Sequence, residues 1–128
     1  MDCAILGFGR AGKIHYQNIL DKNELHLKYI FDNRKKKIEK ELLKENNNHN
    51  FFITDNIQHI LEDKEVKIVV ICTPSSTHYK FIKLCLENKK HILCEKPISH
   101  SENEIKSSYE LAKKNNLVLL CGLNRRFD

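Results

Sequence analysis

The sequence predicts an α/β fold, a doubly wound parallel sheet, on three observations. Short apolar runs alternate with segments of helical period along nearly all of the 128 residues. Two of those runs, Val66-Lys67-Ile68-Val69-Val70-Ile71-Cys72 and Leu117-Val118-Leu119-Leu120-Cys121, are almost continuous in apolar residues, as expected of strands covered by helices on both faces. The first run leads into Gly7-Phe8-Gly9-Arg10-Ala11-Gly12, a Gly-x-Gly-x-x-Gly turn placed to open a helix.

The elements follow in order. A strand is expected at 2–7 and a helix at 10–21, with the glycine turn between them. A second strand, 25–32, ends in Asp32, and a helix, 34–46, begins with Arg34-Lys35-Lys36-Lys37. Glu39, Glu41 and Glu45 follow those cations, the alternation of a solvated helix face. Asn46-Asn47-Asn48 reads as a polar loop before a strand at 50–54 and a short helix at 56–62. The strand at 66–73 closes on Thr73-Pro74, where proline interrupts the ladder and Ser75 or Ser76 can cap the next helix, 75–88. His78, Phe81, Ile82 and Cys85 recur there at helical spacing. A strand at 90–94, a helix at 101–115 opened by the capping-box pattern Ser101-x-x-Glu104, and a strand at 117–122 complete the set. Six parallel strands in one domain over 1–128 result.

Composition narrows the function classes. With 41% hydrophobic residues the chain can form a real core, and no stretch approaches the roughly 20 apolar residues that span a bilayer. The first strand is too short and too acidic at its start for a secretory signal, so a soluble cytoplasmic protein is expected, with no membrane partner. The five cysteines, Cys3, Cys72, Cys85, Cys94 and Cys121, are odd in number and widely spaced, which argues against disulfides and structural zinc. They read as small hydrophobes, four in strands and Cys85 on the apolar side of a helix. The net charge of +5 comes from scattered lysines without interleaved aromatics, so a nucleic-acid partner is not expected.

In sheets of this kind ligands bind outside the carboxyl ends of the strands, near the switch in strand order. The segments at those ends are Gly7 to Gly12, Asp32-Asn33-Arg34, Thr73-Pro74-Ser75, Glu95-Lys96-Pro97 and Gly122 to Asp128. In the first, Gly7 makes the turn, Gly9 lets a pyrophosphate approach the backbone, and Gly12 lets the helix pack on the sheet. The phosphates then meet a helix N-terminus. Asp32, twenty residues beyond Gly12, can accept from both adenosine ribose hydroxyls while its charge repels a 2′-phosphate. NAD is therefore the expected cofactor. Arg34 and the lysines after it can bind that phosphate, which keeps NADP as the second choice. Glu95-Lys96-Pro97 reads equally as a surface ion pair or as the reactive end.

Taken together, Gly7-Phe8-Gly9-Arg10-Ala11-Gly12, Thr73-Pro74-Ser75-Ser76-Thr77-His78, Cys94-Glu95-Lys96-Pro97 and Asn124-Arg125-Arg126-Phe127-Asp128 resemble the Gfo/Idh/MocA oxidoreductase family, and within it the inositol 2-dehydrogenase branch. The resemblance runs the length of the chain in the correct order. It implies a Rossmann domain that holds NAD, with Lys96 facing the nicotinamide ribose and the substrate hydroxyl and Glu95 helping to hold the nicotinamide end. It also implies a cis bond before Pro97, Arg125 or Arg126 near the nicotinamide or substrate, and His78 beside the cofactor cleft, with capping or packing as its alternative. His15 is read as structural. A lysine partly withdrawn from water beside a cationic nicotinamide has its charged form disfavoured and can share the proton of a substrate hydroxyl.

The resemblance further implies a polyol or sugar substrate whose secondary alcohol gives up hydride, and a homo-oligomer for the whole enzyme. In the family the main base is a histidine of a second α/β domain, and none of the seven histidines here takes that position. The chain is therefore expected to be the N-terminal portion of a longer enzyme, with an apolar patch exposed near residues 90–128 where the second domain would pack. A noncatalytic nucleotide-binding sensor or scaffold is the alternative of another class.

Overall fold

The structure, a computed structural model, describes residues 1–45 and 49–122. Arg125, Arg126 and the asparagine tract at 46–48 lie outside the described residues.

Six strands form one all-parallel sheet: β1 (Asp2–Leu6), β2 (His26–Phe31), β3 (Phe52–Thr54), β4 (Val66–Ile71), β5 (His91–Glu95) and β6 (Leu119–Gly122). Their order is β3-β2-β1-β4-β5-β6, the doubly wound arrangement, with the switch between β1 and β4. The helices that join them are α1 (Arg10–Leu20), α2 (Lys35–Lys44), α3 (Gln58–Leu61), α4 (His78–Glu87) and α5 (Glu102–Lys114). No helix among the described residues is long and apolar enough to cross a membrane.

The two-residue period of β1 builds both sides of the core. Cys3 and Ile5 face α1 and α2, where Ile19, Ile38 and Leu42 pack with Ile30 and Val70. Ala4 and Leu6 face the other side, where Phe81, Ile82, Cys85 and Leu86 of α4 and Ala112 of α5 pack with Val69, Ile71 and Cys94. Continuous apolar strands are thus explained by cover on both faces. Cys3, Cys85 and Cys94 are buried within this packing. Burial pushes the Cys85 and Cys94 thiols up to about 12, where they remain neutral hydrophobes.

Register aligns the strand ends that matter. Leu6 pairs with Phe31 on one side and with Ile71 on the other, Ile71 pairs with Cys94, and Glu95 pairs with Gly122. Gly7, Asp32, Cys72, Glu95 and Gly122 therefore stand in a row along the carboxyl edge. Cys72 and Thr73, expected inside the fourth strand, lie just beyond it, because the ladder ends at Ile71.

Two local expectations are corrected. The helix expected at 75–88 is divided into a 3₁₀ turn over Ser75–Thr77 and α4 proper. Neither Ser75 nor Ser76 caps it; instead the Thr77 hydroxyl donates within the turn, 2.8 Å from Thr73 Oγ1 and 2.6 Å from the Pro74 carbonyl. The capping box at α5 is also relayed. Ser101 accepts from the Glu104 N–H at 3.4 Å, but the Glu104 carboxylate accepts from Ser99, whose hydroxyl oxygen in turn accepts from the Ser101 N–H at 3.1 Å.

Single large apolar side chains are exposed at several places on the molecule, Ile14, Leu43 and Phe52 among them, and also within 90–128. Val118 and Leu120 of the β6 region and Tyr109 of α5 are exposed. At the opposite, amino edge of the sheet, buried Lys90 donates to the carbonyls of Asp63 (2.6 Å) and Val66 (2.9 Å).

Candidate functional site

Three glycines shape the turn after β1, for different reasons. Gly7 has φ +91°, and a Cβ there would stand 2.7 Å from the Cys72 backbone. A Cβ on Gly12 would fall 2.0 Å from the Gly7 carbonyl oxygen, so α1 can cross the turn only without a side chain at that position. Gly9 differs: a Cβ there meets nothing within 4 Å. The protein's own packing gives no reason for the bare backbone at Gly9, which precedes the first residue of α1 and faces open space. A phosphate at the helix N-terminus supplies that reason, and the residues present fit a dinucleotide.

Phe8 contributes through its backbone. Its ring is buried in the core against Tyr16, with centroids 5.5 Å apart and edge to face, while its N–H donates to Asp32 Oδ2 at 2.8 Å. That bond ties the turn to the end of β2. Asp32 is buried and also receives the Arg34 N–H at 2.8 Å on Oδ1 and the Arg34 guanidinium at 3.0 Å on each oxygen. Burial alone would raise the Asp32 carboxyl, but the Arg34 side chain and the N–H groups of Phe8 and Arg34 outweigh it and hold the group below its ordinary value.

A groove of about 860 Å³ opens along this edge. It is lined by Gly7, Gly9, Asp32, Asn33, Arg34, Thr73 and Pro74, all candidates from the sequence. It is also lined by Asp55, Asn56 and Ile57 after β3 and by Thr77, Lys80 and Phe81 at the start of α4, which sequence reasoning missed. The signal for the first group was available, since Phe31 pairs with Thr54 and any strand beside β2 must deliver its loop to the same edge. A neighbouring pocket of about 450 Å³ is lined by Asn33, Arg34, Lys35, Lys36, Lys37, Glu39 and Asp55. Arg10 and Ala11 form the first turn of α1, with Arg10 exposed.

Ser75 and His78 are not brought into the groove. Ser75 lies within hydrogen-bond distance of His100, 3.2 Å away, in a separate pocket with Ser76, Tyr79 and Ser99. His78 is 1% exposed, and its Nδ1 and Nε2 sit 2.6 Å from the Pro97 carbonyl and 2.8 Å from the Thr73 carbonyl. It is a clamp between the loops after β4 and β5, which is the packing role left open above.

At the other end of the row, the Lys96–Pro97 peptide is cis. Lys96 is exposed rather than partly withdrawn from water, because none of the described elements closes over it. Glu95 is half-buried and meets His15 of α1, whose Nε2 lies 2.7 Å from Oε1. A Cβ on Gly122 would come within 3.2 Å of that same oxygen. Burial, with the nearby Glu95 charge, pushes the Cys72 thiol up to about 12, so Cys72 is no nucleophile at neutral pH.

A family model described as an oxidoreductase family with an NAD-binding Rossmann fold matches residues 1–123. Among curated proteins the chain is 36% identical over 125 residues to the uncharacterised oxidoreductase YrbE of Bacillus subtilis, covering 97% of this chain and 36% of that protein. It is 32% identical over 128 residues to the myo-inositol 2-dehydrogenase of Thermotoga maritima, covering 100% and 37% respectively. A crystal structure of the oxidoreductase yhhX superposes with a TM-score of 0.89 at 31% identity, covering 100% of this chain and 37% of that one. Two Bacillus subtilis relatives name different nucleotides: a scyllo-inositol 2-dehydrogenase (NAD(+)) at 33% identity over 98% of this chain and 36% of that protein, and a scyllo-inositol 2-dehydrogenase (NADP(+)) at 26% over 97% and 33%. The chain spans little more than a third of the length of the curated relatives it matches. With the doubly wound sheet, the glycine turn and the acidic end of β2 already in place, this match over 123 residues shows that the chain belongs to the Gfo/Idh/MocA oxidoreductase family, as its NAD(P)-binding Rossmann domain.

Proposed function

We propose that this domain is the cofactor-binding part of an NAD-dependent dehydrogenase acting on the secondary alcohol of a polyol or sugar of inositol type. The observation that carries the cofactor reading is the bare backbone at Gly9, which opens α1 and has no protein neighbour within 4 Å of a Cβ position, beside an acidic residue at the end of β2. The inositol relatives at 32% and 33% identity support the substrate class.

Gly7, Gly9 and Gly12 with the N–H groups at the start of α1 would hold the pyrophosphate, and Asp32 the adenosine ribose. Asn33, Thr73, Pro74 and the added lining residues Ile57 and Phe81 would form the walls around the adenosine half. Glu95 and Arg125 would serve the nicotinamide end. When bound, the nicotinamide ring supplies the hydride acceptor for the carbinol carbon. Lys96, at the end of β5, would donate hydrogen bonds to the substrate hydroxyl and share its proton. The base that completes the reaction is assigned to none of the described residues. A small-molecule substrate and a homo-oligomeric whole protein belong to the same proposal.

The test is calorimetric binding of NAD and of NADP to this chain, repeated with Asp32→Ala. NAD is expected to bind more tightly than NADP, and Asp32→Ala to weaken NAD by about tenfold or more, the loss of a charged hydrogen-bond acceptor. Folded protein that binds neither nucleotide would overturn the cofactor assignment.

A further inference from the structure

We propose that His15 is a positioning residue for the nicotinamide end of the cofactor, acting through Glu95; the proposal rests on the dinucleotide reading above. Three observations converge on Glu95. It ends β5, on the far side of the β1/β4 switch from Asp32, where an extended dinucleotide brings its second half. Its Oε1 accepts from His15 Nε2 at 2.7 Å, across 80 residues of sequence. The same oxygen occupies the space that a side chain at Gly122 would contest, 3.2 Å from the Cβ position. The carboxylate is thus fixed from α1 on one side and given room by β6 on the other.

A half-buried carboxylate already bonded to a neighbouring ring is restrained before a ligand arrives, and such preorganisation spares the cost of ordering it on binding. An oxidised nicotinamide is cationic and carries a carboxamide donor, so a fixed carboxylate recognises both features. His15 touches neither; it holds Glu95. With His15 Nε2–H committed to Glu95 Oε1, the other oxygen of the carboxylate takes no hydrogen bond among the described residues and would serve the ligand.

The experiment compares NAD⁺ with ADP-ribose, which keeps the adenosine and pyrophosphate and lacks the nicotinamide. Calorimetry on the whole chain is expected to show His15→Ala weakening NAD⁺ by about five- to tenfold, the scale of ordering one flexible side chain on binding. ADP-ribose affinity is expected to change less than about twofold. His15→Gln, whose amide N–H reaches the same oxygen, restores NAD⁺ binding, and Glu95→Gln reproduces the NAD⁺-selective loss by a route independent of the stability of His15→Ala. Equal losses for both ligands, or an NAD⁺ affinity unchanged in both His15→Ala and Glu95→Gln, would overturn the proposal. Binding of neither ligand to the unmodified chain would instead remove the dinucleotide reading itself.

Discussion

Arg34 folds back onto Asp32, placing its Nε 3.0 Å from Oδ1 and its Nη2 3.0 Å from Oδ2. With the N–H groups of Phe8 and Arg34 also bonded, the carboxylate accepts four hydrogen bonds, about as many as a carboxylate can. A ribose that docks on Asp32 must displace the guanidinium. Half of the Arg34 side chain is exposed while Asp32 is buried, so the guanidinium is the partner that can swing out into solvent and leave the carboxylate in place.

Arg34→Ala therefore has opposite effects on the two nucleotides. Removing the competitor is expected to tighten NAD by up to about fivefold, the scale of an ion pair with one partner in solvent. NADP loses the cation that would meet its 2′-phosphate and weakens by roughly tenfold. Parallel calorimetric titrations decide the matter, and a variant that binds NAD more weakly than the parent contradicts the competition.

The same carboxyl links stability to pH. A group whose pKa is lower in the folded than in the unfolded chain adds stability above its unfolded value, about 3.9 for Asp, and loses it as the pH falls through the lower folded value. Asp32 is shifted in that direction. The stability gap between the parent and Asp32→Asn is expected to be full at neutral pH, to hold down to about pH 5, and to shrink below about 3.9. Urea unfolding across that range measures it; a gap that grows as the solution is acidified would reverse the assigned direction.

The elements that the sequence made legible are those coded by local period and spacing. Continuous apolar runs located β4 and β6, and the glycine hexapeptide located the turn between β1 and α1. What stayed hidden depends on contacts between distant segments. Nothing in the chain marks His15 as the partner of Glu95, because only the fold brings α1 and the end of β5 together across 80 residues of sequence. His78 is similar: its helical spacing placed it on the buried face of α4, but the bonds that occupy it come from the Pro97 and Thr73 carbonyls. At Ser75 and Ser76 the local signal misled, since several neighbouring hydroxyls could bond there and the Thr77 hydroxyl is the one that bonds within the turn.

Gly9 and Gly12 separate fold from function within one turn. At Gly12 a methyl group would meet the Gly7 carbonyl oxygen at 2.0 Å, a backbone clash that no rotamer change relieves. Gly12→Ala is expected to cost at least about 3 kcal/mol, the upper range of overpacking, with the cost appearing in thermal or urea unfolding without any nucleotide present. At Gly9 the same methyl meets no protein atom within 4 Å. Gly9→Ala should change the stability of the free chain by no more than about 1 kcal/mol, the difference between the two residues at a helix N-cap. It should nevertheless weaken NAD by about tenfold or more, because the methyl occupies the space through which a pyrophosphate reaches the backbone. A Gly9→Ala chain that keeps both its stability and its NAD affinity would mean that the open space beside α1 is not where the phosphates lie.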